Sequence, residues 1–229
     1  MNISECAGRV LGRPVFFLPR TASVIACLIF WAFCAYSQTG SLDRPRTYDV
    51  KNYTVRVSFD VSRKLVFGDT TVSLTPLNMP ITEIDLDAVD MVFSSVTLDA
   101  SAKPLRYRIA RRKVFVTLDH AYHPGEVAAI RFKYRITQPK KGIYFIPAET
   151  DSGKLAHSAQ IWTQNEPEDG RYWFPSFDFP SDKATSEEFI TAAKSQTVIG
   201  NGELVEKTDK PNGMTTWHYR MDVPHSTYL

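Results

Sequence analysis

The chain has 229 residues, of which 43% are hydrophobic and 12% aromatic, and its formal net charge is +2. This composition excludes an intrinsically disordered chain, and the length allows a core that is stable without disulfides. The small net charge gives no electrostatic reason to expect a nucleic-acid partner.

The first 37 residues differ in kind from the rest of the chain. Arg9, Arg13 and Arg20 precede an uncharged apolar run at residues 22–36, and polar residues follow it. This order predicts a signal peptide over residues 1–37, with an apolar helix, and export to the periplasm or the extracellular space. The alternative is an uncleaved membrane anchor through residues 22–36, although this run is shorter than the roughly 20 residues of a spanning helix.

The predicted leader contains all the cysteines of the chain, Cys6, Cys27 and Cys34. Its removal therefore leaves no thiolate metal ligand and no disulfide. It also removes three of the 27 basic residues and one of the 25 acidic residues, which leaves 24 of each. The rest of the chain is formally neutral, so no nucleic acid is expected as a partner.

From Tyr48 onward, hydrophobic residues alternate with polar ones. A period of two places one set of side chains inside and the other in solvent, as in a strand with one buried face. The pattern predicts strands at residues 53–61, 69–75, 105–109, 114–118 and 130–136, and a hairpin at 204–221. Short strands at regular spacing favour an all-β fold, an antiparallel β-sandwich, formed by one domain at residues 45–229. Tyr107 and Ile109 are expected on a buried face.

The segment at residues 160–185 combines aromatic, proline and acidic residues and has no strand period. It is too irregular for a strand and too apolar for a solvated loop. This predicts a packed, stiff loop that presents a few polar groups, and functional residues are common on such loops. Tyr144 and Phe145, earlier in the chain, are expected to serve in packing.

Two motifs stand in this segment: Gln164-Asn165-Glu166, and then Arg171, residues 174–180 (FPSFDFP) and Lys183-Ala184. They resemble motifs of the M1 (gluzincin) zinc aminopeptidases, the aminopeptidase N-like family. The N-terminal domain of that family has Q-x-E or Q-x-Q, followed by R-x-x-F-P-C-F-D-E-P-x-x-K-A. Ser176 and Phe179 depart from the Cys and Glu of the pattern. The resemblance covers residues 46–229 and implies the saddle-like β-domain at the amino terminus of these enzymes.

The resemblance also implies roles for two residues. Glu166 would hold the α-ammonium of the substrate by a charge-assisted hydrogen bond, and Gln164 would line the pocket for the first side chain. An amine held in this way lies next to the scissile bond, which enforces cleavage from the amino terminus. The alternative for Glu166 is a structural carboxylate that caps a backbone amide or pairs with Arg171. Arg171 and Asp178 are expected to brace the loop.

No zinc site is expected in this chain. Hydrolysis in the family needs a zinc ion, usually held by H-E-x-x-H on a helix. None of the five histidines is followed by Glu, and the His120–His123 pair is interpreted as a loop before the Pro124-Gly125 turn rather than a metal site. The chain is therefore expected to hold no catalytic residue and no cofactor, with the zinc in a missing catalytic domain.

The end of the chain, at residues 223–229, resembles the middle of a strand, which predicts truncation before the catalytic domain. The leading interpretation is the N-terminal, substrate-amine-binding domain of a zinc aminopeptidase that removes N-terminal residues from peptides, inactive when alone. The alternative is a stand-alone exported β-sandwich that serves as a binding or interaction module. The expected partner is a peptide N-terminus, and membrane contact is expected only through an uncleaved leader.

Overall fold

The computed structural model describes residues 44–229, except for the side chain of Leu155, so the predicted leader at residues 1–37 lies outside the described residues. The strands of this part are β1 (Tyr48–Asp60), β2 (Leu65–Pro76), β3 (Ile81–Asp87), β4 (Met91–Leu98), β5 (Arg106–Ala110), β6 (Lys113–Tyr122), β7 (Ala128–Thr137), β8 (Gly142–Ile146), β9 (Glu149–Asp151), β10 (Lys154–His157), β11 (Gln160–Gln164), β12 (Ala184–Ala193), β13 (Glu203–Asp209) and β14 (Met214–His225). A short 3-10 helix lies at Gly170–Tyr172. In this range of the chain, no helix has the length and apolar character to cross a membrane.

Seven strands form the larger sheet, in the order β13-β14-β12-β1-β2-β7-β4, and three form a smaller sheet, in the order β3-β6-β5. Their pairs are antiparallel except for β1 and β12, which run parallel from Asn52↔Thr185 to Ser58↔Thr191. The predicted all-β class is confirmed, and the strands, expected to be mostly antiparallel, include this parallel pair. Parallel neighbours need a long crossover connection, and here all the strands from β2 to β11 lie between them in sequence.

One apolar core joins the two sheets. The larger sheet contributes alternate residues of its strands, and the smaller sheet contributes the inward faces of β3 and β6. The large side chains that are buried most completely are Tyr48, Val50, Val66, Val72, Leu74, Ile84, Leu86, Val114, Ile130, Phe132, Ile136 and Ile143. Two sheets that share a core are consistent with the predicted sandwich.

The exposure of β5 corrects one expectation from the sequence. Tyr107 and Ile109, expected on a buried face, are 40% and 55% exposed. The reason is that β5 lies at the margin of the smaller sheet and pairs only with β6. Leu105, just before the strand, is the residue of this segment that enters the core.

The last strand ends earlier than the sequence suggests. β14 ends at His225, and the Leu229 amide donates to the Ser226 carbonyl at 3.2 Å. The prediction of a continuous strand through residues 223–229 is therefore wrong. The side chains of Ser226 and Thr227 turn inward instead, where they donate to the Pro180 carbonyl and the Asp178 carboxylate.

A two-stranded sheet of β8 and β11 positions the Q-x-E motif. Its inward face packs against the core through Ile143, Phe145 and Ile161. Tyr144 of β8 lies opposite Trp162 of β11 in the register. Because strand side chains alternate between faces, Tyr144, Trp162 and Gln164 lie on the face directed away from the core. β11 ends at Gln164, so the motif begins at the last residue of the strand.

Candidate functional site

Gln164 and Glu166 lie together at the end of β11, and both are exposed. Gln164 pairs with Gly142 of β8, so the sheet fixes its backbone. Glu166 follows two residues later, beyond the strand. The fold therefore brings the two predicted binding residues to one solvent-accessible end of the β8–β11 sheet.

Asn165, between them, anchors the motif to the interior. It is 4% exposed, and its Oδ1 accepts a hydrogen bond from Trp173 Nε1 at 2.9 Å. Its Nδ2 donates to the Thr227 carbonyl at 3.3 Å, and its own carbonyl accepts the Asp169 amide at 2.7 Å. A buried amide bonded at both ends holds the backbone in one position, with its neighbours directed to solvent. Sequence reasoning missed Asn165 because its side-chain partners lie 8 and 62 residues away.

The Glu166 carboxylate does not pair with Arg171, which was one of its two structural alternatives. The Arg171 guanidinium is occupied by Glu168, by the Asp178 carboxylate through Nε at 2.9 Å, and by the Asp178 carbonyl at 2.8 Å. Within residues 44–229, Glu166 has no ion pair within 4.0 Å and no side-chain hydrogen bond. Its charge therefore faces solvent without compensation from these residues.

Asp178 organises the loop that follows the motif. Its side chain is fully buried and accepts hydrogen bonds from the Arg171 amide at 3.0 Å, from Arg171 Nε at 2.9 Å and from Thr227 Oγ1 at 2.7 Å. Burial raises the pKa of Asp178 above its usual value, although these hydrogen bonds act in the opposite direction. The contacts between Arg171 and Asp178 are the bracing expected from the sequence.

Asp87, at the end of β3, connects this loop to the smaller sheet. It is 2% exposed, and its carboxylate accepts the Asp178 amide at 3.0 Å and pairs with Arg44. Its backbone exchanges two hydrogen bonds with Ser176, at 2.7 and 3.1 Å. No local signal in the sequence showed that the Asp87 carboxylate is buried.

Phe174 and Phe177, in the loop after the motif, face the core rather than solvent. Phe174 packs edge-to-face on Tyr53 with ring centroids 5.6 Å apart, and Phe177 packs on Tyr48 at 6.0 Å. The Tyr53 hydroxyl accepts the Phe177 amide at 3.0 Å. These contacts explain the aromatic residues after the motif, because the rings hold the loop against the core while Gln164 and Glu166 remain exposed. The prediction of a loop over all of residues 160–185 is wrong at Gln160–Gln164, because these residues pair with β8 and form β11.

The histidine pair provides no metal site. His120 lies within β6, so its placement in a loop was wrong; β6 continues to Tyr122. The His120 ring stacks on Tyr122 at 4.1 Å, and its Nδ1 lies 3.1 Å from Asp119 Oδ1. Among residues 44–229, no group of three or more His, Cys, Asp or Glu side chains is placed to hold a metal ion. This donor set does not fit a zinc ion, which needs at least three protein ligands.

Comparisons with known proteins agree with the family resemblance that the Q-x-E motif and the following loop indicate. A family profile described as the peptidase M1 N-terminal domain matches residues 45–229. The chain is 25% identical to leucine aminopeptidase 2 of Candida glabrata over 194 residues, which are 82% of this chain and 28% of that protein. It is 31% identical to transcription initiation factor TFIID subunit 2 of Drosophila melanogaster over 103 residues, 44% of this chain and 8% of that protein.

A solved structure gives the same result at the level of the fold. The M1 zinc metallopeptidase from Deinococcus radiodurans matches with a TM-score of 0.66 and 25% identity, over 80% of this chain and 41% of that chain. A mutant of that enzyme bound to a Tyr-Ser-Ala substrate also matches with a TM-score of 0.66. The chain thus spans less than half the length of these relatives.

Proposed function

The chain belongs to the peptidase M1 family, as its N-terminal domain at residues 45–229, and from this we propose that Glu166 and Gln164 bind the amino terminus of a peptide. The observation that carries the proposal is the exposed Glu166 carboxylate, which no other described residue neutralises. A peptide ammonium would supply the missing charge and donate a charge-assisted hydrogen bond.

The support around Glu166 favours binding of a small cationic group. Asn165 is fixed by two side-chain hydrogen bonds, so the backbone that carries Glu166 has little freedom to lose when a ligand binds. Gln164 adds an amide that can donate and accept hydrogen bonds at the same end of the sheet. The related Deinococcus enzyme with a bound Tyr-Ser-Ala substrate supports a peptide as the ligand.

We assign binding rather than hydrolysis to this domain. Because the donors of residues 44–229 do not fit a zinc ion, we derive no bond-breaking step from them. In a zinc aminopeptidase that contains the domain, the described residues would hold the amine while residues outside it carry the metal. The domain alone is therefore expected to be inactive, and the leader predicted at residues 1–37 would place it in the periplasm or outside the cell.

A second function, that of a protein-interaction module, is favoured by one observation. One of the relatives bears the name of a transcription initiation factor subunit, not of a peptidase. A module of this kind would have no need to recognise a free amine. Dependence on the free amine therefore distinguishes the two functions.

The test compares a free and a blocked peptide amine. The full chain, labelled with 15N, is titrated with Tyr-Ser-Ala and with N-acetyl-Tyr-Ser-Ala. We expect the free peptide to shift the backbone amides of residues 164–166. Acetylation, or the Glu166→Gln substitution, should weaken binding about 10-fold or more, because a hydrogen bond to a charged group contributes about 1.5–3 kcal/mol.

The matched control is Glu203→Gln, which removes an exposed carboxylate from β13 at the edge of the larger sheet. This variant should bind both peptides as the unmodified chain does. Equal affinity of the unmodified chain for the free and the acetylated peptide would contradict the proposed amine site and favour the interaction module.

A further inference from the structure

The outer face of the β8–β11 sheet displays two stacked aromatic rings beside the proposed amine site. The rings of Tyr144 and Trp162 have centroids 4.7 Å apart and planes inclined by 21°. Trp162 is 47% exposed, and Tyr144 is partly buried. Stacked rings form a flat apolar surface, and the exposed part of the indole can accept another ring.

Packing of the core does not account for this pair. The core is closed from the opposite face of the same two strands by Ile143, which is 1% exposed, together with Phe145 and Ile161. Single exposed apolar side chains are common on protein surfaces. Here, however, two rings are held in a stacked arrangement on the solvent side, where they add nothing to the core. Of the two residues expected to serve in packing, Phe145 packs against the core and Tyr144 stacks on Trp162.

The strand connects the ring pair to the amine site. Trp162 and Gln164 point to the same face of β11, because side chains two residues apart in a strand share a face. At about 3.3 Å per residue, their Cα atoms lie roughly 7 Å apart along the strand. Glu166 follows just beyond the strand. A peptide whose amine contacts Glu166 would extend its first side chain past Gln164 towards Trp162.

We propose that Trp162, supported by Tyr144, selects peptides whose first side chain is aromatic. This inference rests on the proposed amine site at Glu166 and adds the specificity of that site. A methyl side chain is too short to cover the indole, whereas an aromatic ring can stack on it. Aromatic pairs of this kind correspond to a preference of about 3- to 10-fold.

The test uses the full chain and the peptides Phe-Ser-Ala and Ala-Ser-Ala. In every variant, binding is followed by the NMR signals of the backbone amides of residues 164–166. In the unmodified chain it is also followed by the Trp162 indole N–H signal, which is identified by its loss in the Trp162→Ala variant. We expect Phe-Ser-Ala to bind about 3- to 10-fold more tightly than Ala-Ser-Ala and to move this signal. Trp162→Ala should abolish the preference for Phe-Ser-Ala over Ala-Ser-Ala, and Trp162→Phe should restore part of this preference.

Ile199→Ala is the control, since Ile199 is an apolar side chain that is 85% exposed in the loop between β12 and β13. It should change neither affinity. If Trp162→Ala does not fold, Trp162→Leu makes the same comparison, because it keeps apolar bulk without a π-face.

Each of the other outcomes would contradict the proposal. Equal binding of both peptides, with an unmoved indole signal, overturns aromatic selection and leaves the amine site standing. A larger gain for Arg-Ser-Ala than for Phe-Ser-Ala overturns it in favour of a cation–π preference. Failure of both peptides to bind the unmodified chain overturns the amine site as well.

Discussion

Ser176 lies fully buried in the loop before β12, and its hydroxyl has no hydrogen-bond partner in the described part of the chain. Its backbone, by contrast, is bonded twice to Asp87. A buried polar group without a partner lowers the free energy of unfolding by about 1–3 kcal/mol. The M1 pattern has Cys at this position, and a buried thiol behaves as a small apolar group.

We expect Ser176→Ala to raise the free energy of unfolding by about 1 kcal/mol, because it removes the unsatisfied hydroxyl and keeps the backbone bonds. Ser186→Ala is the matched control of opposite sign. The Ser186 hydroxyl is bonded to His225 Nε2 at 2.9 Å, so its loss should lower the free energy of unfolding by about 1 kcal/mol. Urea denaturation measures both, and a destabilised Ser176→Ala variant would contradict the interpretation.

Some residues of the site could be predicted from the sequence and others could not. Gln164 and Glu166 could be proposed because they belong to a contiguous motif. Asn165 and Asp87 could not, because their roles depend on partners 62 and 91 residues away, Thr227 and Asp178. A pattern in sequence carries no information about which buried carboxylate or amide another segment will meet. The chemistry of the exposed residues was therefore easier to predict than the buried network that holds them.

At the level of the elements, the junction of β8 and β11 depends on a glycine. Gly142 opens β8 with a φ of +74°, opposite Gln164. A Cβ atom at this position would lie 2.2 Å from the Asp169 carbonyl oxygen, which is a backbone atom and cannot swing away. Gly142 therefore meets two separate requirements, a left-handed backbone and close contact with another segment.

We expect Gly142→Ala to lower the free energy of unfolding by about 3 kcal/mol or more, measured by urea denaturation. Gly125→Ala is the control, because Gly125 also has a positive φ, +92°, but nothing lies within 4 Å of its Cβ position. Gly125→Ala should lower the free energy of unfolding by about 1 kcal/mol, which is the cost of the backbone strain alone. An equal decrease in the free energy of unfolding of the two variants would show that the contact with Asp169 adds nothing to the cost of the substitution.

The strands themselves were predictable to the extent that their buried faces are apolar. β1 and β7 alternate clearly, and the sequence predicts both. β12 was not predicted, because the side chains that it directs inward include Ser186 and Glu188, which interrupt the alternation. Its parallel pairing with β1 could not be predicted for the same reason. β1 shows a clear alternation but β12 does not, so no local pattern identifies the two strands as neighbours.

At the scale of the whole molecule, the ion pair between Arg46 and Asp182 connects the segment before β1 to the segment before β12. Asp182 is 2% exposed and pairs with Arg46, which also contacts Asp49 at 2.7 Å. The Val50 amide donates to Asp182 at 3.4 Å. Burial is the main cause that raises the pKa of Asp182 from the ordinary value of 3.8 to about 6, against the attraction of Arg46.

A raised pKa means that the folded chain binds this proton more tightly than the unfolded chain. The contribution of Asp182 to stability is therefore fully present below about pH 3.8 and is lost as the pH rises through about 6. Relative to Asp182→Asn, which cannot ionise, the unmodified chain should lose about 2 kcal/mol of unfolding free energy between pH 4 and pH 7.

Urea denaturation of both chains across this pH range measures the difference. Asp222→Asn, at a side chain that is 73% exposed, is the control for the loss of a carboxylate elsewhere in the chain. A difference for Asp182→Asn that is constant, or that grows in the opposite direction, would rule out a raised pKa at this residue.

The central position of β1 also has a consequence for the synthesis of the chain. β2 follows β1 directly, whereas Thr185 of β12 is made 133 residues after its neighbour Asn52. At about 5–20 residues per second, this interval lasts roughly 7–27 s. Throughout it, one edge of β1 offers unpaired amides and carbonyls to any strand nearby. A cell that makes this chain must shield that edge for the whole interval, so the yield of folded protein should depend on the supply of chaperones during translation.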